Sequence, residues 1–285
     1  MTGELYLCAT PIGNLEDMTF RAIRVLKEAD LIAAEDTRQT QKLLNHYEIV
    51  NPLTSYHEHN KESKGDYLLR LLLEGMKIAL VSDAGMPGIS DPGFELVQLA
   101  VANGVKVIPI PGAVAAITGL VASGLPTQSF VFEGFLSRVP KKRRAKLREL
   151  SQEARTIIFY EAPHRLEKTL KDMLETWGSR QVVVARELTK KHEEIWRGDL
   201  AKALEYFGEG KARGEITLIV QGSTAVEEQE NVEEALPLAK QVEILLEQGL
   251  EKKEAIKKVA QDNKMSKREV YQAVLEAEGK QKADT

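Results

Sequence analysis

Acids, bases and cations gather in four short segments of this chain, each at the end of an apolar run. In Ala34-Glu35-Asp36-Thr37-Arg38, Glu35 or Asp36 can take a proton from a substrate hydroxyl and Arg38 can hold a phosphate. Asp36 fits a helix cap equally well, because its side chain can accept from the free N–H groups that open a following helix. Glu35 has no such ordinary role. Tyr56-His57-Glu58-His59-Asn60 places two histidines two residues apart. That spacing lacks the geometry of a helical H-E-x-x-H site and no third ligand lies beside it, so hydrogen bonding is the expected role and no metal is expected. Tyr160-Glu161-Ala162-Pro163-His164-Arg165 opens a helix with Pro163 near its first turn, and Ala185-Arg186-Glu187-Leu188-Thr189-Lys190-Lys191 follows another apolar run. Either alone reads as an ordinary charged turn. Their joint occurrence beside strand ends in both halves of the chain points to a shared cleft.

The elements that must position these segments alternate. Strands are expected at Leu5 to Ala9, Leu31 to Ala34, Pro52 to Tyr56, Lys77 to Val81 and Val105 to Ile110. Helices are expected between them, near Thr19 to Ala29, Thr37 to Tyr47, Ser63 to Glu74 and Phe94 to Asn103. Strand and helix taking turns at this spacing imply βαβ units and a parallel sheet, with ligands at the carboxyl ends of the strands. The loop Ser82 to Gly93 lies at such an end. It packs three glycines and two prolines into twelve residues, which continues neither strand nor helix and marks a ligand-binding loop. The turn Ala9-Thr10-Pro11-Ile12-Gly13-Asn14-Leu15 sits at another strand end but is not G-x-G-x-x-G, and no G-x-x-x-x-G-K-[ST] loop is present. A dinucleotide cradle and a P-loop nucleotidase are therefore poorly supported.

This first domain should cover residues 1–111. A second, 112–222, starts with a helix at Ala113 to Ser123, ended by Gly124 and Pro126, and continues with strands at Ser129 to Glu133, Thr156 to Tyr160, Gln181 to Ala185, Glu193 to Arg197 and Glu215 to Val220. Closely spaced strands with few intervening helices suggest a mixed sheet in an α+β domain. The polar, acidic stretch Ser223 to Asn231 reads as a linker. A module at 232–280 should follow, with helices at Ala235 to Gln248, Lys252 to Asp262 and Lys267 to Glu276. The last two are separated by Asn263-Lys264-Met265-Ser266, and Ser266 with Glu269 forms a capping box; this has the form of a helix-turn-helix or of a small packing subdomain.

A chain of 285 residues, 43% of them hydrophobic, can bury substantial cores without staples. One cysteine, Cys8, excludes an intramolecular disulfide framework and fits a reducing cytosol, and no apolar stretch is long enough to span a bilayer. A cytoplasmic protein is expected. The net charge of −4 gives no overall bias toward nucleic acid, yet Arg138, Lys141, Lys142, Arg143, Arg144, Lys146 and Arg148 follow one another without an acid, a field suited either to a phosphate backbone or to a solvated helix face.

Several of these segments together resemble the ribosomal RNA small subunit methyltransferase I family, which methylates a cytidine 2′-oxygen, within the tetrapyrrole methylase superfamily. The matching stretches are LCATPIGNL from Leu7, AAEDTR from Ala33, LVSDAGMPGISDPG from Leu80, IPGAVAAITGLVASGL from Ile110, FEGFL from Phe132, FYEAPHR from Phe159, ARELTK from Ala185 and GEITLIVQ from Gly214. The resemblance implies an α/β, tetrapyrrole methylase-like fold, with a parallel-sheet N-terminal domain and a mixed second domain, S-adenosylmethionine in the cleft between them, and a homodimer. It implies that Pro11, Asp83, Met86, Pro87, Ala113, Tyr160, Glu161 and Leu188 line the cofactor pocket, with Thr217 a further candidate. Ser90 to Gly93 should instead shape their loop and start the next helix.

On that reading Glu35 is the first choice for the base that takes the ribose hydroxyl proton, and His57 the second. Arg21 and Arg38 would position phosphate, and Lys141, Lys142, Arg143 and Arg144, with the terminal helices, would engage more distant parts of the small-subunit RNA or assembled subunit. Two rival readings stay open. One is a carbon methyltransferase of a corrinoid or other tetrapyrrole precursor, whose carboxylates could also use Arg38; the other is a non-catalytic RNA-binding ribosome-assembly protein.

Overall fold

The computed structural model describes residues 2–208, 210, 212–224, 237–263 and 265–281. Two compact units divide the chain, Met1–Ser223 and Thr224–Thr285. The first unit holds two five-stranded sheets.

The first sheet is built from β1 (Glu4–Cys8), β2 (Leu31–Ala34), β3 (Leu53–Ser55), β4 (Lys77–Val81) and β5 (Lys106–Ile110), in the order β3-β2-β4-β1-β5. All its pairings are parallel. Alternate side chains face opposite layers, which is why the central strands β2 and β4 are apolar over almost their whole length. Ile32, Ala34, Ala79 and Val81 pack under α1 (Phe20–Glu28) and α2 (Thr37–His46) with Val25, Leu26 and Leu44. Leu31, Ala33, Ile78 and Leu80 pack under α3 (Lys61–Leu73) and α4 (Phe94–Ala102) with Leu68, Leu72 and Leu96. Because every strand runs the same way, the ends at Thr10, Glu35, Tyr56, Ser82 and Pro111 emerge along one edge.

The second sheet takes β6 (Phe130–Phe135), β7 (Thr156–Glu161), β8 (Gln181–Arg186), β9 (Glu194–Asp199) and β10 (Ile216–Val220) in the order β6-β7-β10-β8-β9. β6 and β7 are parallel and the other pairs antiparallel, so the sheet is mixed. Helix α5 (Ala115–Ser123) packs on one face, ended by Gly124 in the left-handed conformation at φ 82°. Contrary to the expectation of few helices here, α6 (Pro140–Glu149), α7 (Pro163–Trp177) and α8 (Leu200–Phe207) intervene between the strands, and side chains of all three join the core on the other face. In α6 apolar positions are sparse, Leu147 and Ala145 amid seven charged residues, which masks its periodicity; α7 and α8 carry it openly at Leu166, Leu170, Met173 and at Leu200, Ala203, Phe207.

The second unit consists of α9 (Leu238–Glu247), α10 (Lys252–Asp262) and α11 (Lys267–Gln281) around Val242, Ala255, Ile256, Val259, Ala260, Val270 and Val274. The capping box is formed: Ser266 Oγ accepts from Glu269 N at 3.3 Å, and Glu269 Oε2 accepts from Ser266 N at 2.8 Å. Most of the expected linker, the first two residues of the helix expected from Ala235, and Lys264 lie outside the described residues. Among those described, no helix is long and apolar enough to cross a membrane.

Candidate functional site

Strand-end loops of both sheets surround a cavity of about 320 Å³, within the roughly 300–1,000 Å³ of small-molecule sites. From the first sheet come Ile12, after β1, and Ala84, Gly85, Met86, Ile89, Ser90 and Asp91, after β4. Gly85, at φ 83°, donates to Thr10 O at 3.1 Å and accepts from Thr10 N at 2.9 Å, so the β4 loop is sewn to the β1 turn. At Gly93, φ 155°, an added Cβ would come 3.0 Å from Gly88 N, which explains the glycine pair that folds the loop back on itself. Ser90 between them adopts φ 64°, an uncommon conformation for a residue with a side chain, right beside Asp91.

Carboxylates cluster on this side. Asp83 Oδ1 accepts from Asp36 N at 3.0 Å and Glu35 Oε2 from Asp83 N at 3.4 Å, locking the end of β2 to the end of β4. Burial raises the pKa of both Glu35 and Asp83. Asp91 is moved furthest, to about 7, first by burial and then by the neighbouring Glu35 charge, against a hydrogen bond from the Ser82 hydroxyl. Asp36 instead caps α2 through Arg38 N at 2.8 Å and holds the exposed Arg38 guanidinium at 3.1 and 2.8 Å, which lowers its pKa to about 2. His57 Nε2 lies 3.3 Å from Asn60 Nδ2, and its buried Nδ1 has no hydrogen-bond partner.

The second sheet supplies the opposite wall. Tyr160 packs edge-on to Phe132 at 5.0 Å and tilted to Phe135 at 5.6 Å, and its hydroxyl accepts from Ala116 N at 3.2 Å, which positions the first turn of α5. Glu161 is 2% exposed, yet its oxygens are occupied. Oε1 accepts from Ala162 N at 2.8 Å, Oε2 accepts from Thr169 Oγ1 at 2.5 Å, and Arg165 Nε stands 3.2 Å from Oε1 as an ion-pair partner without hydrogen-bond alignment. Leu188 lies between two residues of left-handed backbone, Glu187 at φ 52° and Thr189 at φ 67°. Glu187 Oε1 accepts from Glu215 N and from Lys190 Nζ, both at 2.9 Å, and so ties the β8 loop to the residue before β10.

Of the residues expected in the pocket, Met86, Tyr160, Glu161, Leu188 and Thr217 line the cavity. Pro11, Asp83, Pro87 and Ala113 do not, although each is the chain neighbour of a lining residue. Glu35 and His57 also stand outside the lining. One expectation is corrected: Ser90 and Asp91, assigned only to loop shape, face the cavity, because the left-handed turn at Ser90 redirects the chain. A carboxylate within a Gly/Pro-rich loop was the available signal. Phe135, Val114, Ala115, Ala162 and Pro163 line the cavity as well: Val114 and Ala115 follow the expected Ala113, Ala162 and Pro163 follow Glu161, and Phe135 is brought there by the parallel pairing of β6 with β7 opposite Tyr160. Of the expected RNA contacts, Arg21, Lys141, Lys142 and Arg144 are exposed. Arg143 is corrected: it is 5% exposed and turned inward, its Nε donating to Asp172 Oδ2 at 2.7 Å, because the helical turn places it on the core face of α6 beside Leu147.

Residues 4–204 match the family model described as Tetrapyrrole (Corrin/Porphyrin) Methylases. A "Ribosomal RNA small subunit methyltransferase I" of Halalkalibacterium halodurans is 58% identical over 270 residues, 94% of this chain and 93% of that one. Its namesake in Bacillus subtilis is 54% identical, covering 95% and 94%. Among solved structures, cobalt precorrin-4 methyltransferase superposes with a TM-score of 0.59 at 19% identity over 76% of this chain and 94% of its own. A uroporphyrin-III C-methyltransferase from Thermus thermophilus, complexed with S-adenyl homocysteine, gives 0.55 at 21% identity over 77% and 97%.

Proposed function

Because the chain belongs to the tetrapyrrole methylase family and, within it, to the ribosomal RNA small subunit methyltransferase I group, we propose that it transfers a methyl group from S-adenosylmethionine to a cytidine 2′-oxygen of small-subunit (16S) ribosomal RNA. The observation that carries this reading is the two-walled cavity, apolar over most of its surface, with Asp91 among its acidic residues at a pKa of about 7 that suits proton removal near neutral pH.

The residues present fit the cofactor. Ile12, Met86, Val114, Phe135, Tyr160 and Leu188 offer apolar surface for a planar base, while Asp91, Glu161 and Glu215 make the lining acidic, which suits a cation. When bound, S-adenosylmethionine supplies an electrophilic methyl on a positively charged sulfur. The protein's own task is to align donor and acceptor and to exclude water, and the strained, cross-tied loops at Ser90 and at Glu187 to Thr189 give it rigid walls for doing so. Asp91 takes the proton of the ribose hydroxyl as charge develops, and Glu35 behind it keeps its pKa high through like charge. This moves the base from Glu35, the choice from sequence, to Asp91, and leaves His57 a positioning part beside Asn60.

RNA would approach over Arg21, Arg38 and the exposed Lys141, Lys142 and Arg144, which hold phosphates without reading sequence. Either naked RNA or the assembled subunit could present these phosphates. The family reading also includes a cytoplasmic homodimer, for which the exposed Phe94, Val101, Ile117 and Val121 offer apolar surface; sedimentation of the purified chain tests it.

The decisive experiment incubates the protein with labelled S-adenosylmethionine and either unmodified small ribosomal subunits or tetrapyrrole precursors. Label should enter ribose in the RNA alone. Label in the tetrapyrrole would move the chain to the other branch of the family, and failure to bind the cofactor by calorimetry would leave a non-catalytic RNA-binding protein.

A further inference from the structure

The catalytic fold leaves the second unit unexplained. The stretch shared by the whole tetrapyrrole methylase family ends at residue 204, and the precorrin methyltransferase matches only 76% of this chain although nearly all of its own. The ribosomal RNA methyltransferase relatives go further: 270 aligned residues exceed the 223 of the first unit, so most of the second is shared with them. A part shared with proteins named for RNA, and lying beyond the stretch common to the whole family, is suited to the substrate that distinguishes them.

Its charge is unevenly distributed. Lys252 to Arg268 contain seven basic residues and two acids, whereas α9 carries Glu243 and Glu247. Lys253, Lys257, Lys258, Lys267 and Arg268 are exposed and form no salt bridge with another described residue. Val270 and Val274 anchor one side of α11 in the core, so its other side is held outward. That side presents Arg268, Tyr271, Gln272, Leu275 and Glu276 along a shallow groove, with Tyr271 49% and Met265 41% exposed. The remaining acid of the first turn, Glu269, is turned back onto Ser266 N and Oγ at 2.8 and 2.7 Å. Cations beside an exposed aromatic ring and an amide are what a single-stranded or looped RNA requires: the cations meet phosphates, and the ring stacks on an unpaired base.

We propose that the first half of α11, with the lysines of α10, is a second RNA-docking surface of this enzyme, with Lys267 and Arg268 on phosphates and Tyr271 stacked on a base. The proposal rests on the ribosomal RNA reading above. Because both contacts belong to one chain, docking here raises the effective concentration of RNA and acts on KM, leaving the chemical step alone.

The test is made in the full chain with the double variant Lys267→Glu/Arg268→Glu and the single variant Tyr271→Ala, all at exposed positions, with intact folding checked by thermal unfolding. The double variant should raise KM for small subunits about tenfold or more and lower the salt slope of binding to protein-free 16S RNA by about 1–2, one phosphate contact per lost cation. Tyr271→Ala should weaken RNA binding about fivefold or more at every salt concentration. Maximal turnover and S-adenosylmethionine affinity should stay at wild-type values, and the control Lys240→Glu on α9 should change KM less than about twofold. Unchanged KM and salt slope in a wild-type background that does methylate RNA overturn the docking assignment alone. Loss with assembled subunits and not with protein-free RNA overturns it in favour of a contact to ribosomal protein. A wild-type chain that transfers no methyl to RNA overturns the underlying functional reading instead.

Discussion

Of the acids that line the cavity, Asp91 and Glu161 stand on opposite sheets and are held in opposite ways. Glu161, at the end of β7, is the more deeply buried, yet a backbone N–H, the Thr169 hydroxyl and the Arg165 guanidinium surround its oxygens. Asp91 is less enclosed; burial first and the like charge of Glu35 next raise its pKa to about 7, and the nearby Ser82 hydroxyl, which also reaches the Ala84 and Gly85 carbonyls at 3.4 Å, offsets them only in part. Burial and the Glu35 charge, with little donor supply to offset them, are what poise Asp91 to move a proton. Glu161 is built to stay where it is. Asp91 is built to change charge.

Removing each carboxylate should separate these roles. Asp91→Asn should lower turnover about 10²- to 10⁴-fold, the usual contribution of a positioned base, with S-adenosylmethionine affinity by calorimetry within about threefold of wild type. Full turnover in this variant would end the base assignment. The same substitution should stabilise the fold at pH 8. Folded Asp91 binds its proton more tightly than the unfolded chain does, so stability falls from pH ~4, where the unfolded chain's aspartate ionises, to about 7, where the folded one does; the full cost, about 1–2 kcal/mol once solvent screening is allowed for, is present above pH 7 and vanishes below pH ~4. Denaturant midpoints of the two proteins at both pH values measure it. Glu161→Ala should do the reverse, destabilising by about 3–5 kcal/mol at neutral pH because Arg165 is left buried without its partner. If stability were unchanged and only turnover fell, Glu161 would be the working acid.

A subtler change keeps both carboxylates and alters the coupling. Glu35→Gln removes the charge that helps hold the Asp91 pKa up, so the acid limb of kcat/KM, expected near pH 7, should move to lower pH. Turnover on its plateau should stay within about tenfold of wild type. A plateau as low as that of Asp91→Asn would instead restore Glu35 as the base.

Much of this arrangement was legible in the chain, and unevenly so. The parallel sheet could be read because most of its strands are short, largely apolar runs bounded by turn residues and alternating with helical segments, and because such a sheet places all its strand ends on one edge. Glu35, His57 and the Ser82 to Gly93 loop thus fall into one region on the sequence alone. What could not be read was direction within a loop. Asp91 and Asp83 have the same side chain eight residues apart, yet Asp83 is engaged by Asp36 N and Glu35 while Asp91, next to the left-handed Ser90, lines the cavity. Arg143 was hidden by its neighbours, since a run of basic residues carries no mark of the one that finds Asp172. The second sheet is antiparallel in most of its pairs, so its strand order, and with it Phe135 in the wall, depended on long-range pairing.

A purely steric change tests whether the two walls are set against each other by contact. A Cβ added to Gly13, in the turn after β1, would lie 2.4 Å from Lys190 Cγ, 2.9 Å from Thr189 Oγ1 and 3.1 Å from Leu188 O. Lys190 cannot simply swing away, because its amine is held by Glu187 at 2.9 Å and Glu215 at 3.2 Å. Gly13→Ala must therefore push the Leu188 loop outward, widening the cavity without touching either carboxylate. Overpacking of this kind costs about 1–3 kcal/mol, and if it is taken from the bound geometry, the Kd for S-adenosylmethionine should rise about 5- to 100-fold, while the pH limb set by Asp91 stays in place. An unchanged cofactor Kd would mean that the loops of the second sheet find their position without the first. A displaced pH limb would mean that the Asp91 environment depends on the opposite wall, and that the two carboxylates are less independent than their separate partners indicate.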